Sequence, residues 1–217
     1  MKQARAWIGT SGWNYGHWRG VLYPKRLPAS EWLDHYARSF ETVEVNNSFY
    51  KIPNSGSVAE WSSLAPRRFR FAIKTCRGVT HFKKLKDPSA YVEIFLAPLV
   101  ELGDRQKAPL LVQLPPNMGK NTARLESFLD VLKSAAGRHW KIAVEFRNPE
   151  WLCTEIHQLL DRKRAAICCP SLLEVSQLNF PDPLQLSKTP IRPGYLKFAL
   201  ITEPAAPNRQ HRIYPPR

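Results

Sequence analysis

A chain of 217 residues, 43% hydrophobic and 23% charged, has the make-up of one water-folded domain or a small barrel, which excludes a multidomain machine, a disordered chain and a fibrous repeat. Its 32 Lys and Arg against 18 Asp and Glu leave a formal charge of +14, a field that attracts polyanions without naming one. No apolar run reaches the ~18 residues a spanning helix needs, and Met1-Lys2-Gln3-Ala4-Arg5 leads into strand-like sequence rather than a signal-peptide core, so a cytoplasmic protein with no membrane partner is expected. Cys76, Cys153, Cys168 and Cys169 show no CxxC spacing, and an adjacent pair does not readily bridge, so reduced thiols are expected rather than a zinc site or a disulfide framework.

Strand-like and helix-like periods alternate through six cycles, the pattern of an α/β protein with a parallel sheet. Short apolar runs predict strands at Ala6 to Thr10, Thr42 to Asn46, Phe69 to Cys76, Pro109 to Leu114, Lys141 to Phe146 and Ala165 to Cys169. Between them, Leu33, Tyr36, Ala37 and Phe40 recur at helical spacing behind Ser30 as N-cap. Ser57-Val-Ala-Glu60 reads as a capping box. Val92, Phe95, Leu96 and Leu99 form a stripe interrupted by Pro98 and ending near Gly103. Leu125, Phe128, Leu129 and Leu132 recur between Thr122 and Gly137, and Ile156, Leu159 and Leu160 follow Thr154. From Pro170 the texture changes. Nine of the 19 prolines fall in residues 170–217 and only Tyr195 to Ile201 is strand-like, so the expected organisation is a barrel portion over 1–169 and an irregular Pro-rich tail over 170–217.

Six blocks stand in order along the chain: Ile8-Gly-Thr-Ser-Gly-Trp-Asn-Tyr15; Trp18-Arg-Gly20 with Tyr23-Pro24; Thr42-Val-Glu-Val-Asn-Asn-Ser-Phe-Tyr50; Phe71-Ala-Ile-Lys74 followed by Val79-Thr-His81; Leu111-Val-Gln-Leu-Pro-Pro116; and Ala143-Val-Glu-Phe-Arg147 with Trp151. Together they resemble the DUF72 family, also called YecE-like proteins, over residues 6 to 169. The resemblance implies a TIM-type β/α barrel and, because the family has no assigned activity, no particular chemistry. The carboxyl end departs from the family pattern, which has an Asp after the sixth strand, a Tyr-x-Arg-x-His-Gly-like seventh strand and an Asn-rich and Ala-rich eighth. Here Cys168-Cys169-Pro170 follows the sixth strand and Tyr195-Leu-Lys-Phe-Ala-Leu200 is a degraded seventh. An incomplete barrel of about six βα units is expected, as a truncated, frameshifted or decaying copy would give, with an open side unless a partner covers it.

Polar residues interrupt strands that should be apolar on both faces. Glu44 and Asn46 lie two apart on the second strand, Glu145 and Arg147 two apart on the fifth, and Lys74 and Gln113 lie on the third and fourth, all towards carboxyl ends. The period of two sends each pair to one face, which in a β/α barrel is the pore, so the six converge on the mouth where such barrels carry their sites. One reading makes Glu44 and Glu145 a catalytic acid/base pair, with Lys74, Arg147 and His81 positioning negative charge on an anionic or sugar-containing substrate. A closed ion-pair network is the plainer alternative, and a divalent cation on the two Glu and Asn46 a minor one, because no HxH or DxD pairing supports a metal. No cofactor is indicated. The turn Gly9-Thr-Ser-Gly12 offers backbone donors to an anion. Trp13, Tyr15, Trp18, Phe49, Tyr50 and Trp151 form an aromatic rim suited to bases or sugars, or plug the barrel top. The stretch from Arg67 to Lys86 carries eight basic residues and no acidic one, so non-specific nucleic-acid binding without catalysis is a second reading and an inactive remnant a third.

Overall fold

A computed structural model describes residues 7–168 and 198–201. Strands and helices alternate along the chain: β1 (Trp7–Ser11), α1 (Trp32–Ser39), β2 (Thr42–Val45), α2 (Ser55–Leu64), β3 (Arg70–Lys74), α3 (Ser89–Leu96), β4 (Lys107–Leu114), α4 (Thr122–Ala136), β5 (Lys141–Phe146), α5 (Thr154–Arg162), β6 (Ala166–Cys168) and β7 (Phe198–Ile201). All strands pair in parallel in the order β6-β5-β4-β3-β2-β1-β7, and the first six curl into a half-barrel with the helices between them. The strand expected around Tyr195 to Ile201 exists as β7 but does not extend the sheet past β6; it lies beside β1, where a closed barrel brings its last strand. Residues 169–197, most of the expected tail, lie outside the described residues.

Side chains alternate between two environments. Val43, Val45, Phe71, Ile73, Leu110 and Val112 point outward into a core shared with Phe95, Leu125, Phe128, Leu129, Ile156 and Leu159 of the helices, all within 2% of complete burial. Each such burial contributes roughly 1.5–3 kcal/mol, so this helix-side layer carries the stability and leaves the concave face free for polar groups. Gly9 lets β1 approach β2: a Cβ there would stand 2.1 Å from the Thr42 carbonyl oxygen.

The helical stripes sit as the spacing predicts, while two caps differ. Ser30 lies within a 3-10 turn, Ala29–Glu31, which leads into α1 with no side-chain cap. The helix expected at Ser57 starts two residues earlier, because Asn54 Oδ1 accepts the Ser57 amide at 2.7 Å and so takes the capping role assigned to Ser57. Pro98 ends α3 as expected, with the chain tightening into a 3-10 turn at Ala97–Glu101. Among the described residues no helix is long and apolar enough to cross a membrane.

Candidate functional site

Strand register builds the site. Ser11 of β1 stands opposite Glu44 of β2, and Gln113 of β4 opposite Glu145 of β5, which in turn faces Cys168 of β6, all at carboxyl ends. The Glu44 carboxyl is only 4% exposed; it accepts a hydrogen bond of 3.1 Å from Ser11 Oγ, while its backbone carbonyl receives the amide of Gly12 at 2.8 Å. Burial pushes its pKa above the ordinary carboxylate value. Lys74 and the Ser11 hydroxyl oppose that shift, and the charge of Glu145 reinforces it. Glu145, 6% exposed, pairs with Arg147, whose Nε lies 2.5 Å from Oε1 off the axis of a good hydrogen bond. Gln113 is half-buried beside it. The two carboxyls therefore occupy unequal surroundings, one facing a hydroxyl and the other a guanidinium.

Lys74 links this pair to the third βα loop. Its ammonium lies 5.1 Å from the Phe49 ring centroid, and the same ring meets His81 edge-on at 4.8 Å. His81 Nδ1 is 2.9 Å from Thr80 Oγ1. Burial, with Lys74 second, holds the His81 pKa below its ordinary value and favours the neutral imidazole. Asn46 follows β2, with its Oδ1 buried and without a hydrogen-bond partner among the described residues. Such an orphaned acceptor costs about 1–3 kcal/mol, which a ligand donor would recover.

The aromatic residues separate into two groups. Tyr50 is 61% exposed, whereas Trp13 packs edge-on to Trp61 at 5.5 Å, and Tyr15 donates its hydroxyl to the Ser11 carbonyl while its ring lies 4.8 Å from Trp18. Trp151 is wholly buried, stacked on Phe146 at 5.3 Å with its indole N–H donated to the Met118 carbonyl at 2.8 Å, so it supports the fifth loop from beneath and offers no face to a ligand. The basic stretch is split as well. Arg67, Arg68 and Arg70 precede or open β3, while Lys74, Arg77, Lys83, Lys84 and Lys86 lie at or beyond its carboxyl end, roughly 13 Å of strand away. Side chains to which the sequence assigned no role of their own also shape the site. Ser11 acquires its role from register opposite Glu44, and Thr80 from its contact with His81. Among the described residues no three His, Cys, Asp or Glu side chains converge as a metal-binding set.

An open parallel sheet with helices on its convex side and polar side chains at the carboxyl ends of its strands defines an incomplete member of the β/α-barrel class. Residues 7–202 match the family described as "Protein of unknown function DUF72", and the chain belongs to that family. It is similar to the UPF0759 protein YunF of Bacillus subtilis, 27% identical over 70% of this chain and 54% of that protein, and to YecE of Escherichia coli K12, 29% identical over 72% and 54%. Thus the chain spans about half the length of the curated relatives it matches. A DUF72 family protein from Thermotoga maritima shares the fold at a TM-score of 0.61 and 30% identity, over 75% of this chain and 63% of that one. One from Enterococcus faecalis does so at 0.59 and 22% identity, covering 75% and 60%.

Proposed function

We propose that the half-barrel mouth is an acid/base site of hydrolase or lyase type for a small anionic or sugar-containing substrate. Glu44 is the proton-carrying acid, Glu145 the partner carboxylate, and Lys74 and Arg147 position negative charge. The observation that carries this reading is the inequality of the two buried carboxyls: burial drives Glu44 towards its protonated form beside Lys74, while Glu145 stands against Arg147. A pair of titratable groups in divergent surroundings is the arrangement acid/base chemistry needs, because one must give a proton while the other takes or stabilises charge. His81, held neutral, and the orphaned Asn46 Oδ1 supply a second base and a hydrogen-bond acceptor on the same side.

Turnover of a panel of sugar and phosphate esters, measured with melting curves for wild type, Glu44→Gln and Glu145→Gln, tests the proposal. The expected result is turnover by the wild type, reduced at least 100-fold in either variant, with folded protein throughout. Loss of melting temperature in Glu145→Gln with no turnover by any of the three would leave Glu145 and Arg147 as a structural ion pair and retire the catalytic reading.

A further inference from the structure

The loops after β2 and β3 meet on the outer rim of the mouth and interleave rings with cations. Tyr50 and Phe82 are 61% and 72% exposed, and the Arg77 guanidinium lies 5.6 Å from the first ring and 5.2 Å from the second. Phe49 joins this row to the inner site, edge-on to Tyr50 at 5.0 Å and beneath Lys74. On the far side Lys83 Nζ lies 5.8 Å from the Tyr91 ring. The backbone that presents the row is unusual. A π-helical turn spans Gly78–Phe82, and Lys84, Leu85 and Asp87 take left-handed φ values of 47°, 64° and 44°, anchored by Leu85 at 2% exposure. Residues 46–54 and 74–86 together hold six Lys or Arg and no Asp or Glu.

We propose that this row is a binding surface for single-stranded nucleic acid, with bases stacking on Tyr50 and Phe82 and phosphates meeting Arg77, Lys83 and the neighbouring lysines. Arg77 covers part of each ring and leaves the rest open, so a base can add to a cation–ring stack that is already formed. Exposed ring faces suit unstacked bases; a duplex hides its bases, and a heparin chain or an acidic peptide would engage the cations and leave the rings idle. The surface adjoins the acid/base site at Lys74, and neither Glu44 nor Glu145 belongs to it.

Fluorescence anisotropy with labelled oligo(dT), oligo(U), a duplex of the same length and a heparin fragment, at several salt concentrations, tests the inference. Both single strands, or one of them, should bind more tightly than duplex and heparin. Tyr50→Ala with Phe82→Ala should weaken single-strand binding on the order of ten-fold or more and leave the salt slope unchanged. Arg77→Gln with Lys83→Gln should lower that slope by roughly 1.4, about 0.7 per phosphate contact. Arg67→Gln with Arg68→Gln, at the opposite end of β3, should bind as wild type does. Binding of heparin or duplex as tight as that of single strands, unaltered binding in the ring variant, or a loss that follows Arg67 and Arg68 would overturn the proposal. Melting curves of each variant show that the comparison is made between folded proteins.

Discussion

Glu44 and Gln106 are both buried polar side chains, and they differ in how far their atoms are satisfied. Gln106 Nε2 donates to the carbonyls of Ser62 and Ala65 at 3.0 and 3.2 Å, and its Oε1 accepts from Ser62 Oγ at 2.7 Å, so it staples the end of α2 to the start of β4. Glu44 has one hydroxyl donor and the field of Lys74, which do not offset its burial. A carboxyl whose folded pKa is raised binds more protons when folded, so its stability contribution is complete below the ordinary carboxylate range and is lost as pH rises through the raised value. Glu44→Gln should therefore leave stability unchanged at acidic pH and increase it above that window, read from denaturant melts across pH. Lys74 lowers the pKa of both Glu44 and His81, so Lys74→Gln should move both titrations upward together in side-chain NMR. A shift of one without the other would place Lys74 elsewhere. His81 has the opposite sign to Glu44: its lowered pKa makes the folded protein lose stability as pH falls through that value.

At the scale of elements, much of the fold is legible in the sequence. The apolar runs of β5 and the stripes of α4 and α5 fall where their periods put them, because burial on a regular strand or helix imposes a period of two or 3.6. The same period identifies Glu44, Lys74, Gln113 and Glu145 as residues of one face. Local hydrogen bonding is less legible: Asn54 rather than Ser57 caps α2, and no composition signal marks the left-handed residues of the third loop. Trp151 is the clearest difference. An aromatic residue in a βα loop reads as a rim, yet the Met118 carbonyl that draws its N–H inward comes from a segment 33 residues away. Trp151→Ala should cost ~3–5 kcal/mol of stability as a core truncation, measured by denaturant unfolding. Tyr50→Ala, at an exposed ring, should change stability by less than about 0.5 kcal/mol. Gly9→Ala should cost about 3 kcal/mol or more, since its Cβ meets backbone that a strand pair cannot move aside cheaply.

For the whole molecule, sequence alternation conveyed a parallel α/β sheet, and the resemblance added the family and, through the departure at the carboxyl end, the incomplete barrel. What it did not convey is that β7 returns to β1, because the partner of a short strand is set by long-range closure rather than by its own residues. The sheet thus curls around a mouth whose floor is built by β1 to β5, the strands that supply Ser11, Glu44, Lys74, Gln113 and Glu145. This curl buries Glu44 and raises its carboxyl pKa, while Glu145 meets Arg147. The most direct measurement is a pH titration of the Glu44 side-chain carboxyl carbon by NMR, assigned by comparison with Glu44→Gln. The midpoint should lie above the ordinary glutamate value of about 4.3, and a midpoint at or below that value would mean that burial does not favour the protonated Glu44 carboxyl.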